Sequence, residues 1–276
     1  NELFNTLVLE EGTSSAHIPL YKKYISYWLI GLVRKVYEPG FRNPVLVFYG
    51  PQEKGKSTWF TETFGQVSPG ACCEQPADPN NKDHSIQQGH TLVWSIPEID
   101  KISGKKDAAD LKAFFDFKGG WVRRPYGRNP AWVNPICSFA ATTNADEFLR
   151  DFTGNSRFWI IPLASANAKH TIDVQQIFAQ AYQAVQNKFE LSLNQTDREL
   201  RDQLNERFEV TTPADLMLDL ISSPISDKAG LRLSSVDIIK HIHPEYSDKE
   251  ALSYAIQLGI KLKKKGIPFK KLNGKT

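Results

Sequence analysis

Val45-Leu-Val-Phe-Tyr-Gly50-Pro-Gln-Glu-Lys-Gly55-Lys56-Ser57 joins an apolar run of β character to the pattern G-x-x-x-x-G-K-[ST]. The run predicts a buried strand, and the residues after Lys56 predict a helix. Gly50 and Gly55 let backbone amides turn inward around phosphate groups, with Pro51, Gln52, Glu53 and Lys54 filling the loop. Lys56 then reaches the outer phosphate oxygens, and the Ser57 hydroxyl is placed to ligate Mg2+. Thr58 follows in the first helical turn, where the helix dipole also favours anions. The stretch therefore predicts a strand, loop and helix that bind a nucleoside triphosphate.

Such a loop does not separate kinases, switches, transporters and motors, so the decision passes to the strands that follow. Apolar runs recur at Leu92 to Ile96, Ile136 to Thr142 and Phe158 to Pro162. Helical stretches lie between them, the pattern of a mostly parallel, helix-covered sheet. The first of these runs leads into Pro97-Glu98-Ile99-Asp100. Carboxylates at the carboxyl end of a parallel strand face the ligand crevice. Glu98 is the candidate for activating the attacking water, and Asp100 is the nearest second acid for the metal. The next run ends in Thr143-Asn144, and an amide there can donate to a terminal phosphate and accept from water. Farther on, Gly154-Asn-Ser-Arg157 places an arginine at a strand start, suited to reach the nucleotide of a neighbouring subunit; Arg150 competes for that role.

The 276 residues are 41% hydrophobic, 11% aromatic and 24% charged, which excludes disorder and fibre and suits one large domain with one small one. No window approaches the roughly 18 to 20 uncharged apolar residues of a membrane span. The acidic first residues lack a basic leader, so a cytoplasmic protein is expected. Three cysteines, Cys72, Cys73 and Cys137, suit neither a disulfide framework nor a zinc site and are read as structural thiols. The expected organisation is a helical segment over 1–40, an α/β phosphate-loop domain over 41–210, and a small basic domain over 211–276. In that last part, helical patterns at Pro213 to Ile221, Ser234 to His243 and Asp248 to Lys264 precede a strand-like run and a turn at Asn273-Gly274. That order is the layout of a winged helix.

The net charge of +3 conceals two basic segments. Between Lys101 and Pro135 eight basic residues face three acidic ones, and from Lys261 onward there are seven lysines and no acid. Within the first, Trp121 to Val133 alternates on either side of Gly127-Arg-Asn-Pro130 and predicts a β-hairpin. Lys118, Arg123, Arg124, Arg128 and Asn129 are its candidates for nucleic-acid contact, while Trp121 and Trp132 are expected to anchor it in the core.

The order of these features resembles superfamily 3 helicases, and the wording resembles the virulence-associated protein E family. The matching stretches are GLVRKVYEPG, VLVFYGPQEKGKSTW, PEIDKI, LKAFF, VRRPYGRNP, FAATTNADEFLRD and TGNSRFW, covering about residues 28 to 165. The resemblance implies an AAA+ type ATPase that uses ATP and Mg2+ and translocates on single-stranded and forked DNA. It implies a homo-hexamer encoded by a phage, plasmid or mobile island, with a primase or another replication protein as a further partner. It places Lys56 and Ser57 in the phosphate loop, Glu98 in the acidic motif, Asn144 as sensor, Arg157 as finger and the Arg124 to Arg128 hairpin in a pore. Two departures stand out: Pro97 where the superfamily pairs its acids, and Ser156 where it commonly has a second arginine. The alternative functional reading is an ATP-dependent initiator that binds and melts origin DNA without processive unwinding.

Overall fold

The computed structural model describes residues 2–38, 40–101, 105–123, 128–149, 155–212, 215 and 234–264. The chain divides into two compact units, Asn1–Glu209 and Val210–Thr276.

In the first unit, β1 (Leu7–Leu9), β2 (Val45–Tyr49), β3 (Cys72–Glu74), β4 (Val93–Ile96), β7 (Ser138–Thr143) and β8 (Phe158–Ala166) make a six-stranded sheet. Its order is β1-β8-β2-β7-β4-β3, parallel throughout except for β1, which runs antiparallel to β8. Helices α1 (Ile18–Tyr37), α2 (Lys56–Gly65), α3 (Lys82–Gln87), α4 (Lys105–Phe115), α5 (Val174–Gln186) and α6 (Gln195–Glu206) complete the unit among the described residues. Every residue of β2, β4 and β7 is buried, which is why these strands read as continuous apolar or small-residue runs rather than alternating ones.

The segment over 1–40 is built into the sheet domain rather than set apart from it. β1 extends the sheet, and α1 buries Leu20, Tyr21, Tyr24, Ile25, Trp28, Leu29 and Leu32 at the three- and four-residue spacing of one helix face. The Trp28 Nε1 donates to the carbonyls of Pro44 and Phe139, locking α1 to the entry of β2 and to β7. Trp28 also meets Phe64 of α2 with ring centroids 5.6 Å apart, and Phe48 of β2 stacks on Phe60 at 4.5 Å. The strand and helix flanking the loop from Gly50 to Gly55 are thus fixed in one aromatic core.

The chain leaves β4, passes through α4 and a hairpin, and returns as β7 between β2 and β4. The hairpin, β5 (Gly120–Arg123) and β6 (Pro130–Val133), forms a separate two-stranded sheet. Here one expectation fails: Trp121 is 70% exposed and Trp132 54%, so neither anchors a core. The ribbon buries Val133, which lies on its opposite face, and leaves the indoles outside; the pair meets edge to face across the strands at 5.8 Å.

In the second unit, α7 (Ser235–Ile242) starts with a capping box between Ser234 and Asp237, and α8 (Asp248–Lys264) follows. Ile239, Ala251, Ala255, Leu258 and Leu262 form their common core. The helix expected over Pro213 to Ile221 and the strand and turn beyond Lys264 lie outside the described residues apart from Asp215, which pairs with Lys261.

Candidate nucleotide site

Register brings three strand ends to one rim. Tyr49 pairs with Thr143, Ile96 pairs with Ala141, and the Gly50 amide donates to the Thr143 carbonyl. The loops that leave β2, β7 and β4 therefore open at the carboxyl edge of the sheet, where parallel α/β sheets bind ligands. Between them lies a cleft of about 180 Å³ lined by Gln52 to Thr58, Glu98, Thr142, Thr143 and Asn144.

The loop from Gly50 to Gly55 packs closely against β8. Gly55 caps α2 at φ 79°, and a Cβ there would stand 2.4 Å from the Ala166 carbonyl oxygen. At Gly50 a Cβ would meet the Leu163 carbonyl oxygen at 2.0 Å. Both approaches come from β8, whose Ala166 amide donates to the Lys54 carbonyl at 2.8 Å. Glycine at both positions lets the loop lie against the neighbouring strand. Lys56, buried at the start of α2, donates its ammonium to the carbonyls of Gly50 and Pro51. Burial lowers its pKa.

Ser57 faces the cleft with its hydroxyl 3.2 Å from that of Thr142. Glu98 leaves β4 in the left-handed region at φ 49°, a conformation costly for a residue with a Cβ and one that clusters at functional sites. Its carboxylate pairs with Lys101 at 2.6 Å. Asp100 does not line the cleft; it accepts from the Thr143 hydroxyl at 2.5 Å, one hydrogen bond behind the lining. Thr142 and Thr143 are cleft residues that sequence reasoning passed over, although they immediately precede Asn144.

Arg157 lies in a 3-10 turn, Asn155–Arg157, ahead of β8 and is not among the lining residues. Its guanidinium approaches Asp116 at 3.7 Å and the Lys112 carbonyl at 3.5 Å, at the end of α4. Its competitor Arg150 lies outside the described residues.

The family model of the virulence-associated protein E-like domain matches residues 6–210. The chain belongs to the virulence-associated protein E-like family. No curated protein matches it. Among solved structures it is similar to the apo structure of the NrS-1 C terminal region, at 12% identity and a TM-score of 0.39, over 91% of this chain and 68% of that one. A second form of that region gives 11% identity and 0.39, over 91% of this chain and 64% of that one. A third gives 12% and 0.35, over 96% and 62%.

The family match ends beside the boundary at Glu209, so it takes in the sheet unit with the hairpin and leaves out α7 and α8. On the hairpin, Lys118, Arg123, Arg128 and Asn129 are exposed; Arg124 lies outside the described residues. Among the described residues no group of three or more His, Cys, Asp or Glu side chains could hold a metal ion, and no helix is long and apolar enough to cross a membrane. Burial pushes the thiol pKa of Cys72 up to about 12 and that of Cys73 up to about 11, and it raises that of Cys137 as well.

Proposed function

We propose that this virulence-associated protein E-like chain is an ATP-hydrolysing AAA+ type motor that acts on DNA in the replication of a phage, plasmid or other mobile element. One observation carries the reading: β7 lies between β2 and β4, so the loop of Lys56, the carboxylate of Glu98 and the amide of Asn144 share one cleft. A loop that merely held phosphate would have no need of the other two.

The residues fit a nucleotide and its metal. Lys56 already gives its protons to two acceptors at the loop's own carbonyls, and an oxyanion is a stronger acceptor than either. Mg2+ would be held by the Ser57 hydroxyl, with Asp100 acting through Thr143, and when bound it neutralises phosphate charge. In this reading Glu98 orients water and takes up its proton, Asn144 holds the terminal phosphate and that water in register, and Arg157 serves the cleft of an adjoining subunit in a hexamer. Lys118, Arg123, Arg124, Arg128 and Asn129 engage single-stranded DNA, and the second unit is a winged-helix-like domain that engages duplex at a fork.

Phosphate release measured with and without single-stranded DNA, together with mass by light scattering, tests the proposal. The expected result is a ring-sized particle whose hydrolysis rises with DNA. A monomer that hydrolyses ATP at one rate regardless of DNA overturns it.

A further inference from the structure

The hairpin displays apolar surface that the first unit leaves uncovered. Trp121 and Trp132 are exposed, whereas Trp28, Trp59, Trp94 and Trp159 are all buried. Trp121 stands directly opposite Trp132, and Arg123 opposite Pro130. Alternate residues of a strand share a face, so both indoles and Arg123 lie on the same side of the ribbon. Large aromatic side chains left in water mark a surface that something else covers.

Charge identifies the occupant. From Phe117 to Ala145 the sequence carries Lys118, Arg123, Arg124 and Arg128 and no acidic residue. Lys118, Arg123 and Arg128 are exposed. A partner that is polyanionic along its length and also offers flat aromatic faces is a nucleic-acid strand with unpaired bases. Duplex hides those faces in its stack.

We propose that Trp121 and Trp132 form a stacking platform for an unpaired base of single-stranded DNA, with Arg123 and Arg128 holding the adjoining phosphates. This rests on the DNA reading of the hairpin and gives it a second mode of contact: cations hold the backbone and indoles hold the bases. The edge-to-face pairing at 5.8 Å turns the two ring planes about 80° apart, so they are not stacked on one another. Stacking on an aromatic side chain tolerates any base, which suits a protein that moves along a strand irrespective of sequence.

The test uses the full chain with two oligonucleotides of equal length and charge, oligothymidylate and a wholly abasic strand, read by anisotropy and by indole emission. Since the other four tryptophans are buried, quenching on binding reports on Trp121 and Trp132. The wild type should prefer oligothymidylate by about tenfold or more, with its emission quenched by that strand alone. Trp121→Ala should bring the two affinities together without changing the salt dependence of abasic binding, and Trp121→Phe should restore most of the preference. Equal wild-type affinities would overturn the platform and leave the DNA reading standing; binding of neither strand would sink both. If Trp121→Ala lowers the particle mass while keeping the preference, the indoles cover a second copy of this chain instead, and the platform is rejected.

Discussion

Lys56 and Glu98 sit in the same cleft, and the proposed reaction gives them different work. Lys56 is buried and already bonded to loop carbonyls, so a phosphate group exchanges one set of acceptors for another and the ammonium is never stranded. Glu98 is held at the cleft wall in a left-handed backbone conformation, its carboxylate on Lys101. Lys56→Ala should therefore abolish both nucleotide binding and hydrolysis. Glu98→Gln should keep binding while turnover falls by about a hundredfold or more, the usual cost of losing a group that acts only in the transition state. Equilibrium binding beside single-turnover phosphate release separates the two. Near wild-type hydrolysis by Glu98→Gln would shift the role to Asp100, whose carboxylate is engaged by Thr143.

Among the elements, the end of β2 is tied to the loop after β7 by a contact between side chains. The Tyr49 hydroxyl donates to Asp146, two residues beyond Asn144, and Arg207 lies over the Tyr49 ring at 5.2 Å. Arg207 is itself gripped by both carboxylate oxygens of Glu10, at 2.7 and 2.9 Å. The Arg207 guanidinium holds the Glu10 carboxyl below its ordinary range. Tyr49→Phe leaves the ring in place and removes only the hydroxyl that restrains the Asn144 loop. It should cost about 1 kcal/mol of stability and lower kcat more than nucleotide affinity, as thermal melting and steady-state kinetics would show; a melt change with kcat intact would make the contact purely structural. Nothing in the sequence announced this pairing, because Tyr49 and Asp146 are far apart in the chain. By contrast β2, β4, β7 and β8 were legible, since burial on both faces leaves an apolar or small-residue run. β1 and β3 span three residues each, too few for any period to register. The hairpin's strands could be read from alternation about its turn, but the exposure of Trp121 and Trp132 could not, since composition says nothing of which ribbon face has a neighbour.

At the scale of the whole molecule, the two compact units make separable predictions. Arg157 belongs to the first and approaches Asp116 and the Lys112 carbonyl at the end of α4 rather than lining its own chain's cleft; in the proposed motor it serves another subunit. Mixing Lys56→Ala chains with Arg157→Ala chains should restore part of the hydrolysis that each lacks alone, because some interfaces then pair an intact loop with an intact arginine. Failure of rescue in rings shown to be mixed counts against action in trans. The second unit carries the lysine-rich end of the chain, which can bind DNA by charge alone and so obscure what the hairpin does. The first unit has its own core and includes the family's matched region, so a chain ending at Glu209 keeps the cleft and the hairpin while losing the seven lysines from Lys261 onward. That shortened chain, still oligomeric, should retain hydrolysis stimulated by single-stranded DNA. Replacing Arg124 and Arg128 by alanine in the full chain should remove the stimulation, and each lost phosphate contact should flatten the salt slope of strand binding by about 0.7. The opposite pattern, stimulation lost with the tail and kept by the double variant, would assign the coupling of DNA to hydrolysis to the second unit and leave the hairpin as a passive guide for the strand.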